Sequence, residues 1–203
     1  MIESVFPCPV YRGGFNPERN IDEEIRNIID EGMHFNGSNS TSSDSYIFDT
    51  KLKEIKQFCE DQIKIYVEQV ICPVEGDLDF YITQSWLNVN RPGEVHYEHC
   101  HSNSIISGVF YISAEEDDNI TFVDPNYHVK NRIQFETKVF NIWNSEQWSF
   151  QSNSNELILF PSWLNHMVNS NPKATKDRLS ISFNTFVRGT IGEKTGKYEL
   201  ILK

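Results

Sequence analysis

Nothing in the 203 residues forms a cysteine framework: Cys8, Cys59, Cys72 and Cys100 are the only four, without a C-x-x-C pair or an even ladder of spacings. That pattern excludes a disulfide-stapled scaffold and a zinc knuckle, and a reducing cytoplasm is the expected setting. No run approaches the about 18 uninterrupted apolar residues of a membrane span. The start, MIESVFPCPVY, lacks a basic stretch followed by a long apolar one, so neither export by a signal peptide nor a membrane partner is expected. Basic residues are in the minority, 18 Lys+Arg against 29 Asp+Glu, for a net charge of −11. That is the wrong sign for attraction to a phosphate backbone, so nucleic acid is not an expected partner. Oligomeric state has no signature in the sequence.

What is present suits one domain, 1–203, long enough to bury a core without staples. Its first part, 1–77, reads as helical support and the rest, 78–203, as a β core. In NPERNIDEEIRNIIDEG, Asn20 and Glu23 have the spacing of a capping box, Ile21, Ile25, Ile28 and Ile29 form one stripe, and Gly32 is placed to end the helix. GSNSTSSDS, residues 37–45, reads as a mobile polar loop near a pocket entrance. A second helix is expected from Asp49 or Thr50 to Pro73, with Leu52, Ile55, Phe58, Cys59, Ile63, Tyr66, Val67 and Val70 at helical spacing and buttressing a sheet.

After residue 78 the pattern changes to short runs of β-branched and aromatic residues between turns. Strands are expected in DFYITQSWLNVN, SIISGVFYIS, NITFVD, RIQFETKVFNI, ELILF, HMVNSN and RLSISFNTFVRG. Phe160, Trp163, Phe183 and Phe186 crowd the last third, as a β-rich core needs. Strands following two helices predict a mainly β fold, a jelly-roll or double-stranded β-helix buttressed by two α-helices.

Three of the six histidines fall in RPGEVHYEHCHSNSIISGVFYIS. His99 and His101, two apart on a strand, share a face, with Cys100 on the other. The same parity sets His96 and Glu98 on the Cys100 face, so the two pairs compete unless a bulge intervenes, and His96 reads as a rim residue. His166, opening HMVNSN, is the candidate third ligand from a distant strand. Neutral imidazoles suit iron, zinc, copper or nickel, and three of them leave positions open for substrate. The alternative is a surface histidine cluster without metal. His34 and His128 have no comparable context. Arg178 and Ser180 share a strand face, a guanidinium fork and a hydroxyl able to hold a carboxylate; the alternative is an arginine in a surface salt bridge.

Together these residues resemble the Fe(II)/2-oxoglutarate-dependent oxygenases, whose jelly-roll carries His-x-Asp/Glu, a distal His and, about a dozen residues on, an Arg that is often Arg-x-Ser. More narrowly, SWLNVNRPG, HCHSNSIISGVFYIS, FVDP, LILFPSWLNHMVNSN and RLSISFN, with the opening VFPCPVY, resemble a 2-oxoglutarate oxygenase family of marine bacteriophages and bacteria, prolyl hydroxylase-like. The resemblance spans nearly the whole chain. It implies iron at His99 and His166, with His101 in the acid position, and the C5 carboxylate of oxoglutarate on Arg178 and Ser180. O2 is the cosubstrate, oxoglutarate becomes succinate and CO2, and a C–H bond is hydroxylated. The substrate implied is a prolyl or other residue of a protein or peptide, with a small molecule left open. By analogy Trp86, Asn88 and Tyr111 line the oxoglutarate pocket, or else pack as core or edge. A third histidine brings no negative charge to the metal, so Glu98 after a register shift, or Asp124 of FVDP, stands as the alternative acid. Frequent Asn, Ile and Lys suit an AT-rich genome such as a phage's, acting in host cytoplasm.

The nearest rival is a cupin, an isomerase or dioxygenase, matched at Gly93, His99, His101, Pro161, His166 and Asn169. Its glutamate would stand at 105 or 106, where the chain has Ile105 and Ile106. A non-enzymatic jelly-roll binding module is the other class.

Overall fold

The computed structural model describes residues 2–74, 76, 78–130, 132–133 and 135–203. Two sheets face one another. The larger has eight strands: β1 Tyr11–Gly14, β2 Met33–Phe35, β3 Ser40–Ser42, β4 Asp79–Asn90, β6 Ile106–Ser113, β9 Glu156–Pro161, β11 Arg178–Ile191 and β12 Leu200–Leu202. Its order is β1-β9-β6-β11-β4-β3-β2, with β12 also on β11. The smaller is β5 His96–His99, β10 His166–Val168, β7 Asn119–Val123 and β8 Gln147–Gln151, in the order β5-β10-β7-β8. Every pairing between these strands is antiparallel. This is the expected double-stranded β-helix.

Side-chain alternation builds two cores. In β6 and β9, Val109, Tyr111, Ile158 and Phe160 point between the sheets and meet Ile120, Phe122 and Leu164. Phe110, Leu157 and Leu159 point the other way, onto the helices α1 (Asp22–Glu31), α2 (Ile47–Thr50) and α3 (Lys53–Tyr66). Because both faces of these strands are covered, they read as continuous apolar runs rather than as alternation. Gly108 sits opposite Phe183 on β11, and a Cβ there would lie 2.1 Å from the ring, so the aromatic occupies the space a side chain would need.

The helices depart in detail from the sequence expectation. No capping box forms: Asn20 Oδ1 accepts from the Asp22 N–H at 2.7 Å, and α1 starts without a side-chain cap. The second helix begins later, at Lys53, after Leu52 in a left-handed conformation (φ 54°), and Glu24 of α1 accepts the Leu52 N–H at 2.6 Å. A π-turn, Val67–Ile71, ends it.

Residues 37–45 are not a free loop. Ser40–Ser42 is an inner strand of the large sheet, the Ser42 hydroxyl accepts the Leu87 N–H, and Asn39 is fully buried, donating to Asn90 Oδ1. The polar side chains serve the backbone of β4, which composition alone does not reveal. The strand expected over 132–142 does not form among the described residues; Gln134, inside it, lies outside them. Its apolar residues face solvent, Phe135 at 80% and Phe140 at 66% exposure, and β8 follows instead at Gln147–Gln151. Among the described residues no helix is long and apolar enough to cross a membrane, and all four cysteines are free thiols.

Candidate metal centre and diacid pocket

β5 and β10 pair so that His99 stands opposite His166, while His96 stands opposite Val168. Two residues of β5, Tyr97 and Glu98, thus oppose one of β10, Met167, which is a β-bulge. The bulge cancels the parity expected from the sequence: His96 and His99 both face the space between the sheets, their rings stacked at 4.4 Å. Glu98 turns outward and accepts from Asn165 Nδ2 at 2.7 Å. His101 lies just beyond β5, its N–H held by the Ser162 carbonyl, and its ring comes back to the same pocket while Cys100 stays exposed.

One nitrogen from each of His99, His101 and His166 lies within 4.8 Å of the other two, the only such grouping of histidine, cysteine and acidic ligands among the described residues. Each ring is anchored through Nδ1. His99 Nδ1 donates to the Tyr97 carbonyl at 2.7 Å, His166 Nδ1 to the Leu164 carbonyl at 3.0 Å, and His101 Nδ1 to Asn184 Oδ1 at 2.5 Å. Such an anchor fixes the tautomer and leaves Nε2 as the bare lone pair, the arrangement typical of metal-binding histidines. Burial is the main reason His166 is pushed down to about 3 and His101 below its ordinary value; neighbouring His99 adds to both effects. Both rings are therefore neutral at physiological pH, as ligation requires. The donor set fits a first-row divalent metal, iron among them, with all-imidazole ligation in place of the usual two histidines and a carboxylate. Asp124 serves elsewhere, accepting from the Asn126 N–H and pairing with Lys130.

From this cluster a cavity, open to solvent, runs between the sheets. Its floor is the inner face of β4 and β11, laid in rungs by the ladder register. Trp86 faces Ser182, Asn88 faces Ser180, and Asn90 faces Arg178; on the other side of β11, Tyr111 faces Ser180. Trp86 stacks on His101 at 5.9 Å, which puts the metal end at the first rung. Arg178 closes the far end. Only 5% exposed, it has no salt-bridge partner among the described residues, and its Nε is buried without a hydrogen bond. Burial pulls its pKa down, against the opposing pull of Tyr111 and Asp118. Asn88 donates to Ser182 Oγ at 2.8 Å, but its Oδ1 is likewise buried and unpartnered. A buried cation that faces a cavity without a salt bridge is costly, and Asp118, the acid that acts on it, already accepts from Asn171 Nδ2 and the Glu115 N–H, so this end is suited to an anion.

All the candidate residues thus lie on one cavity: His99, His101, His166, Arg178, Ser180, Asn88, Trp86 and Tyr111. His96 joins them against expectation. Asn184, Asn90 and Ser182 escaped notice, although polar residues at every second position of RLSISFN and WLNVN, between buried or half-buried Leu, Ile, Val and Phe, are the signal of a strand facing a pocket. His34, bonded to Thr41, and His128, near Glu146, lie on the surface away from it. The cupin glutamate has no counterpart, since Ile106 is a 1% exposed core residue.

Residues 84–184 match the family described as "Putative 2OG-Fe(II) oxygenase". No curated protein sequence matches the chain. Among solved structures it is similar to a Pseudomonas putida prolyl-4-hydroxylase, at 14% identity, TM-score 0.58, covering 90% of this chain and 94% of that one. It is similar also to the viral collagen prolyl hydroxylase of Paramecium Bursaria Chlorella virus-1, at 10% identity, TM-score 0.54, covering 87% and 94%. HygX of Streptomyces hygroscopicus, solved with nickel, 2-oxoglutarate and hygromycin B, matches at 11% identity, TM-score 0.57, covering 88% and 82%. These likenesses carry the fold. The family match runs from within β4 to within β11 and takes in all three clustered histidines and Arg178, and on it residues 84–184 belong to the 2OG-Fe(II) oxygenase family.

Proposed function

We propose that the chain is an Fe(II)- and 2-oxoglutarate-dependent dioxygenase that hydroxylates a C–H bond. The observation that carries this reading is one cavity with two prepared ends, three anchored imidazoles at one and an unpartnered buried guanidinium at the other.

His99, His101 and His166 would hold the iron through Nε2. Bound there with oxoglutarate, iron supplies activation of O2 coupled to oxidative decarboxylation, giving succinate and CO2. The residues of the chain position and enclose. Arg178 offers its guanidinium and Ser180 its hydroxyl to the C5 carboxylate, fixing the far end of the diacid. Tyr111 and Asn88, on the rung of Ser180, bound its middle, and Trp86 packs on His101 at the metal end. Val109, Ile120 and Val168 supply apolar wall that excludes water from the reacting centre.

The substrate class we assign is a prolyl or other residue of a protein or peptide, supported by the two prolyl hydroxylases among similar structures. A small molecule is the second class, favoured by the hygromycin B complex of HygX. We set the reaction in a reducing cytoplasm, which suits the four free thiols.

Ligand-linked stability tests the reading. With Mn(II) in place of iron, 2-oxoglutarate at a hundredfold its Kd should stabilise the fold by about 2.7 kcal/mol, several degrees in Tm. No shift with oxoglutarate, in protein shown to bind the metal, removes the reading.

A further inference from the structure

His96 is the fourth imidazole of the cavity and the one that differs. The rings of His99, His101 and His166 each give Nδ1–H to an oxygen of the chain. No hydrogen bond reaches the His96 ring among the described residues, although the ring lines the cavity and stacks on His99. An imidazole half-withdrawn from water with both nitrogens unused is left for something that the cavity holds.

The ladder gives its position along the cavity. On β10, His166 faces His99 at the metal end, and Val168, one same-face step away, faces His96. Just before His96, the Val95 carbonyl accepts from Asn90 Nδ2 at 3.3 Å, and Asn90 is the register partner of Arg178. His96 therefore lies between the metal-binding cluster and the guanidinium, with its ring against the cluster. The bulge puts it there: without the extra residue in β5, His96 would face outward with Glu98.

Resting on the reading above, that oxoglutarate spans from the metal cluster to Arg178, we propose that His96 is a positioning residue for that diacid, donating a ring N–H to the carboxylate at the metal end. Arg178 and Ser180 hold the opposite carboxylate, so the two contacts fix both ends independently. The three ligands are neutral and leave the metal's charge to the cosubstrate, and a donor beside the chelating carboxylate fixes which of its oxygens turns to the metal.

The test separates the ends with two 2-oxo acids on Mn(II)-loaded protein at neutral pH. Pyruvate keeps the metal-end carboxylate and lacks the one Arg178 would hold. The variants are His96→Phe, which keeps an aromatic ring against His99 without a nitrogen, His96→Gln, which restores an N–H donor, and Arg178→Met. His96→Phe should bind Mn(II) as the native protein does and lose affinity for both oxoglutarate and pyruvate by about tenfold, the scale of one hydrogen bond. His96→Gln should recover most of that loss, and Arg178→Met should weaken oxoglutarate alone. Native affinity for both acids in His96→Phe overturns the proposal, as does loss of oxoglutarate without loss of pyruvate, or loss of Mn(II) itself. A native protein that binds Mn(II) and neither acid overturns instead the oxygenase reading on which the proposal rests.

Discussion

His99 and His166 are direct partners across the β5–β10 ladder, their ring centroids 4.3 Å apart. The sequence separates them by about half of the β core, and one antiparallel register brings them together. Replacing either with Ala removes a ligand that no outward-facing neighbour can supply, since Glu98 is tied to Asn165. Both variants should lose bound metal on dialysis while the native protein retains one equivalent, read by elemental analysis. Native stoichiometry in either variant contradicts the assignment.

Arg178 should be a liability to the empty fold. It is buried with no salt-bridge partner among the described residues and an unsatisfied Nε, so Arg178→Met replaces a desolvated charge with a flexible apolar side chain of similar length. The metal-free variant should melt at or above the native temperature while oxoglutarate no longer stabilises it. A variant that melts well below native would mean that Arg178 holds the fold together instead.

The histidines predict acid sensitivity of the metal-free protein. Burial first, then neighbouring His99, pushes His166 to about 3 and His96 to about 4, while the unfolded chain titrates near the ordinary 6.5. Below 6.5 the unfolded state therefore takes up protons that the folded state refuses. Stability is full above 6.5 and declines as pH falls toward 4 and then 3. Urea titrations at pH 7.5 and 5.5 should show this decline, and it should be shallower in His96→Phe, which has no titrating ring at that position.

Gly108→Ala tests the packing beneath the site. The added methyl would meet the Phe183 ring at 2.1 Å, and both strands have neighbours on either side, so neither can move away freely. The cost should be about 3 kcal/mol or more, at the upper end of overpacking in cores. Pairing it with Phe183→Leu should recover part of that loss in denaturant unfolding. A fully stable single variant would show that the sheet adapts there.

The long strands were legible in the sequence for a physical reason. DFYITQSWLNVN coincides with β4, and ELILF and RLSISFNTFVRG start where β9 and β11 start, because those strands bury apolar side chains and have turn residues before them. The polar strands were not legible: STS in β3 buries only Ser42, whose hydroxyl is held by hydrogen bonding, and QWSFQ in β8 is mostly exposed. Conversely, 132–142 carries apolar residues that the fold leaves in solvent, so composition suggested a strand where there is none among the described residues. The three histidines and Arg178 could be picked out from residue type and spacing. The inward turn of His96 could not, because it depends on a single extra residue in β5, and no sequence pattern marks that bulge.

The most direct measurement is succinate formed from 2-oxoglutarate by protein loaded with Fe(II) without oxygen and then exposed to it, beside an Arg178→Ala variant treated identically. Succinate at a rate above free Fe(II) in the native protein, and at the background rate in the variant, is the predicted result. A native protein that binds iron and oxoglutarate yet forms succinate only at the free-iron rate contradicts the account.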